Sequence, residues 1–200
     1  MTPASSRLLN PAERRERIEL AATRLFAERG YAATTIEDIV AAADLTKPML
    51  YRDFESKRDL CIALLRRSRA ELIAAPLAEY SPGDSDRRVQ LERMIDAWLG
   101  HVELHPDAAK LLFVPITGDP EVERVQRELQ AQQRDTQAAL LREFAPRLTG
   151  AEAEPLGEVV RAGFATIAIW LLENPTAERG VATNTLLHLA EGIITMLNRP

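Results

Sequence analysis

The stretch at residues 34–57, TTIEDIVAAADLTKPMLYRDFESK, constrains this chain more than any other. Thr35 is a good helix N-cap and Asp38 stands three residues on, the spacing of a capping box. Ile36, Ile39, Val40 and Ala43 then recur on one helical face. Asp44-Leu45 interrupts the pattern, and aspartate accepts left-handed backbone dihedrals better than most residues. Thr46 caps a second short helix with Pro48 in its first turn, where a missing N–H costs nothing. Leu50 and Phe54, four apart, face inward. Two short helices across so tight a turn form a helix-turn-helix, whose second helix fits the DNA major groove while the first crosses the phosphates. Ile36, Ile39, Val40, Leu50 and Phe54 are the expected buried set. Thr46, Lys47, Pro48, Met49, Tyr51 and Arg52 fall on the outer face or the first turn of the second helix.

The rest of the chain reads as helix. Asn10-Pro11 looks like a helix start, Ile18, Ala21, Ala22, Leu25 and Phe26 follow one face, and Gly30 ends it. Ser56 caps a longer helix to about Tyr80, and residues 81–84 (SPGD) break the chain. Further helices are expected to His105, over 107–113, from Val122 to Phe144, over 156–172 and over 181–197, with a break from Pro146 to Pro155. No strand alternation or fixed repeat is present. The expectation is an all-α chain of about nine helices: a DNA-binding domain at 1–57 and a helical effector-binding and dimerisation domain at 58–200.

Composition agrees. The 200 residues are 46% apolar and 28% charged, enough for a packed core. The net charge of −5 is unevenly divided: residues 1–70 hold 13 Lys+Arg against 10 Asp+Glu, and residues 71–200 hold 12 against 20, a net of −8. Phosphate binding needs local rather than total positive charge. No run of 18 apolar residues predicts a membrane span, and residues 1–10 lack the apolar stretch of a signal peptide. Cys61 is the single cysteine, so no intramolecular disulfide is possible, in keeping with a cytoplasmic protein.

The helix ending in LFAERGYAATTIEDIVAAA, followed by TKPMLYRDFESKRDL, resembles the tetracycline-repressor (TetR) family of bacterial regulators. The Leu50-Tyr51 pair, Phe54 three residues later and Lys57 opening the next helix carry the resemblance over about 50 residues. It implies a DNA-binding transcriptional regulator, most simply a ligand-responsive repressor that binds a palindromic operator on double-stranded DNA as a homodimer. By the same resemblance Thr35 binds a phosphate at its helix N-terminus. Lys47, Pro48 and Met49 meet base edges, Lys47 by donating to guanine. Thr46, Tyr51 and Lys57 hold phosphates. Two positions depart from the family. Residue 44 is Asp where glycine is common, and residue 53 is Asp where histidine or tyrosine is common. Asp53 would be repelled by a phosphate and is expected to turn away or pair with Arg52 or Lys57. The bland readings are a partly buried Tyr51, solvated lysines at 47 and 57, and a solvated face for Arg14, Arg15 and Arg17.

Other chemistry finds little support. His101 and His105 are spaced i, i+4, but no third ligand lies near, so no metal is expected. No phosphate loop or nucleophile elbow is present, no cofactor is implied, and Cys61 reads as a core residue. An enzyme is therefore not expected. The family's use of its C-terminal domain implies an unknown small-molecule effector and a four-helix dimer interface from the last two helices. Trp98, His101, Phe113 and Phe164 are the expected pocket lining. The alternative is a helical small-molecule binder with no specific DNA target.

Overall fold

The computed structural model describes residues 10–81, 86–144 and 148–197. Among them there are nine helices and no strand: α1 (Pro11–Arg29), α2 (Ile36–Ala42), α3 (Lys47–Leu50), α4 (Lys57–Ala78), α5 (Arg87–Leu104), α6 (Pro106–Phe113), α7 (Pro120–Phe144), α8 (Gly150–Glu173) and α9 (Arg179–Leu197). The capping chemistry sets the starts. Asn10 and Thr35 each form a reciprocal capping box, with Glu13 and Asp38, and Ser56 accepts from Asp59 N–H. Thr46 makes no side-chain cap bond, so α3 lacks the cap expected of it. Asp44 takes the left-handed conformation that the turn demands (φ 55°).

α8 begins at Gly150, earlier than the break around Pro155 suggests. A third capping box, Thr149 with Glu152, starts it, and Pro155 lies inside the second turn at the loss of one intrahelical bond. α4 likewise runs past Pro76. By length and hydropathy α8 is also long and apolar enough to cross a bilayer, which the search for an unbroken apolar run does not reveal. In the fold its inner face packs on α7, α9, α6 and α5. Gly157 makes the closest approach: a Cβ there would sit 2.6 Å from the Arg134 carbonyl oxygen on α7.

The largest core cluster runs from the helix-turn-helix into the helices that follow it. Ile18, Phe26, Ile39, Leu50 and Phe54 of α1–α3 join Leu60, Cys61 and Leu65 of α4 in one cluster, which continues into Leu111, Val122 and Val125 of α6 and α7. A boundary at 57/58 therefore falls at the start of a helix common to both halves. The first turns of α4 complete the helix-turn-helix core, and its last turns wall a cavity among α5–α8. Smaller clusters hold α5, α8 and α9 together through Leu99, Leu171 and Leu186, and α7–α9 through Leu141, Val160 and Ile193.

Candidate functional site

Leu50 is the buried residue of α3, and its side chain is fully buried beside Ile39 and Phe54. That anchor turns the remaining positions outward. Thr46, Lys47, Pro48, Tyr51 and Arg52 are exposed, Tyr51 to 51%. Met49 is half-buried, so it is less available than the other outward positions. Lys47 forms an ion pair with Glu37 on α2, which raises the lysine and lowers the carboxyl from their ordinary ranges. Thr35 has its N–H and hydroxyl engaged by Asp38, so reaching a phosphate requires it to exchange that partner.

Two charges behave differently from expectation. Asp53 pairs with neither Arg52 nor Lys57. It accepts two hydrogen bonds from Arg14 of α1, at 2.6 and 2.9 Å, with both side chains nearly covered. Arg15 lays its guanidinium over the Phe54 ring at 4.5 Å and bonds to Glu19. The α1 arginines are thus not simply a solvated face: two of the three hold the recognition unit against α1. Lys57 points its ammonium into the α1–α2 turn. It donates to the carbonyls of Tyr31 and Thr34, both at 2.9 Å, and sits 4.1 Å from the Tyr31 ring centre. It ties the turn to α4, an arrangement invisible to a sequence search because its partners are backbone atoms.

The second site is a cavity of about 270 Å³ walled by α4–α8. Trp98, Phe113 and Phe164 line it as expected, with ring centres 5.9 Å (Trp98–Phe113) and 5.3 Å (Trp98–Phe164) apart. His101 does not line it. Its ring lies 4.5 Å from that of His105, and burial, then His105, lower its pKa. Sequence reasoning missed Arg69 and the glutamines Gln126, Gln130, Gln133 and Gln137. A signal was present: Leu65, Arg69, Leu72 and Pro76 share one α4 face, and the four glutamines share one face of α7. Cys61 is buried, its thiol pushed up to about 12 chiefly by burial, as suits a core residue.

A line of contacts joins the two sites. Gln126 lines the cavity and also grips the α6–α7 connection, donating to the carbonyls of Leu111 (3.1 Å) and Val114 (2.9 Å) and accepting from Ile116 N–H (3.0 Å). Further along that connection Gly118, at φ 97°, lies so close to Ala32 that a Cβ would sit 2.8 Å from the Ala32 Cβ. Asp119 then accepts from the Tyr31 hydroxyl (3.1 Å) and Arg58 (2.9 Å). Burial opposes ionisation of Asp119, but Arg58, the Tyr31 hydroxyl and the N–H groups of Val122 and Glu121 outweigh it and hold the carboxyl below its ordinary range. Burial and Asp119 together push the Tyr31 phenol up. A depressed folded-state pKa contributes stability above the unfolded value, about 3.9, that is lost as pH falls through the folded value. Asp119→Asn is therefore expected to lower the thermal midpoint at pH 7 and to flatten its decline below about pH 4. Parallel acid-melting curves for the two proteins would contradict that role.

Residues 19–64 match the family model described as "Bacterial regulatory proteins, tetR family". Over 101 residues the chain is 31% identical to the HTH-type transcriptional activator FasR of Mycolicibacterium smegmatis, covering 50% of this chain and 46% of that protein. Over 117 residues it is 34% identical to the HTH-type transcriptional repressor KstR2 of Rhodococcus jostii, covering 55% and 56%. The chain thus spans about half the length of the curated relatives it matches. A TetR-like transcriptional regulator from Rhodococcus sp. RHA1 shares the fold with a TM-score of 0.74 and 27% identity, over 91% of this chain and 96% of that one.

Proposed function

We propose that the chain, whose residues 19–64 match the family model of tetR-type bacterial regulatory proteins, is a ligand-responsive transcriptional repressor acting on an operator in the cytoplasm. The observation that carries this reading is the outward set on α3 and the turn that follows it, Lys47, Pro48, Tyr51 and Arg52, with Leu50 buried below them. Lys47, released from Glu37, meets a base edge, and Pro48 meets a thymine methyl. Thr46 and Tyr51 hold phosphates through their hydroxyls. Met49, half-buried, is a lesser contributor. Lys57 leaves the list of phosphate contacts, because its ammonium serves the α1–α2 turn.

Two copies joined through α8 and α9 present two such helices, which a two-fold operator meets in successive major grooves about 34–36 Å apart. Effector binding in the cavity favours one setting of the α6–α7 connection, and Gln126, Gly118 and Asp119 carry that preference to Ala32, Tyr31 and Arg58. The chemistry of the chain is binding; no step of catalysis is assigned to it.

The experiment is fluorescence anisotropy with DNA from upstream of the coding gene and with random DNA, at two salt concentrations. Specific binding is expected to exceed random binding at both. Lys47→Ala is expected to cost about 1–3 kcal/mol on the operator and much less on random DNA. Equal losses on the two would make Lys47 a phosphate contact. Absence of any operator preference would favour the helical small-molecule binder without a DNA target.

A further inference from the structure

We propose that the cavity binds a medium-chain aliphatic carboxylate, with the carboxylate at Arg69 and the chain along the aromatic wall. This deepens the regulator reading, since it names the effector class of that same cavity. The first observation is Arg69 itself. It interrupts an otherwise apolar α4 face, and its Nε is buried with no hydrogen-bond partner among the described residues. A guanidinium cannot shed its charge, and a buried donor left unmade is costly. The other arginines that turn inward are matched: Arg14 by Asp53, and Arg161, also at the cavity, by Glu158 at 2.8 Å.

The second observation is the sign of the lining. Residues 71–200 carry a net charge of −8, yet among the described residues no Asp or Glu lines the cavity. A cationic ligand finds no counter-charge there, and a neutral one leaves Arg69 unmatched. A carboxylate offers the two acceptor oxygens that a guanidinium fork fits. The half-buried Gln130, Gln133 and Gln137 add amide donors along the α7 side. The remaining wall, including Leu72, Ile73, Leu91, Ile95, Trp98 and Phe164, is apolar and calls for hydrocarbon. The volume of about 270 Å³, at ~30 Å³ for each water-sized group, holds a chain of roughly eight to ten carbons.

Titration calorimetry with decanoate, 1-decanol and decylamine tests this on the full chain. Decanoate is expected to bind, 1-decanol at least tenfold more weakly, and decylamine weakest of the three. Arg69→Met should lose at least tenfold in decanoate affinity and little for 1-decanol, with its circular dichroism unchanged. If Arg69→Met does not fold, Arg69→Gln serves the same comparison. Decylamine or 1-decanol binding as tightly as decanoate, an unmoved decanoate affinity in a folded Arg69 variant, or no binding of decanoate would overturn the proposal. Operator anisotropy without decanoate keeps the two readings apart. DNA binding by a protein blind to decanoate removes only the effector class, whereas decanoate binding without DNA recognition removes only the regulator.

Discussion

Replacing Leu50 with alanine is expected to destabilise the chain by about 2–5 kcal/mol, the range for truncating a fully buried leucine, and to abolish operator recognition. The size of the effect follows from how little else holds α3. The helix is four residues long, and Thr46 gives it no side-chain cap bond. So short a segment has no helical stability of its own and depends on tertiary packing. Leu50 is its buried residue and meets a cluster that includes Ile39 and Phe54. Urea unfolding followed by circular dichroism should show a lower midpoint at an unchanged slope. The loss of operator affinity should exceed that of Lys47→Ala, because all outward contacts lose their platform together. A midpoint equal to that of the native chain would mean that α3 is held by something other than Leu50.

Trp170→Glu is expected to separate the subunits and to reduce operator affinity by on the order of 100-fold or more, the range by which two linked sites exceed one. From Ala162 to Leu172 α8 carries no charged residue, and Trp170 is 37% exposed and Val159 51% exposed in the single chain. On α9, Val181 and Met196 are exposed by 53% and 55%. The inner faces of both helices are already occupied by Val160, Leu171, Leu186 and Ile193, so these outer positions need a different partner. A two-fold contact between copies is expected to cover them and to set two recognition helices side by side. Sedimentation should give a dimer for the native chain at micromolar concentration and a monomer for Trp170→Glu, with equal helicity. A native monomer would overturn both the interface and the two-half-site mode of DNA binding.

Much of the binding unit was legible because its signals are local. Capping boxes at Asn10 and Thr35, the left-handed Asp44 and the inward spacing of Leu50 and Phe54 depend on neighbours within a few residues. The same logic failed at Pro155. Proline in the second turn of a helix gives up a single bond, which the long packed face of α8 outweighs. Three of the four expected cavity residues line the cavity, and His101 falls outside because ring type and spacing do not fix which helix a side chain meets.

What the sequence determined by itself is the set of helices, most of their ends and the faces that must be buried, since these follow from backbone hydrogen bonding and the 3.6-residue period. What only the tertiary structure decided is the partner of each charge. Arg14 meets Asp53 across 39 positions of chain, Tyr31 meets Asp119 across 88, Lys57 bonds to backbone carbonyls, and Arg69 Nε has no partner among the described residues, at a cavity where none of them places an acid. Long flexible side chains reach any group that packing brings near, so their roles are fixed by where the helices cross, and no local pattern of residues encodes that.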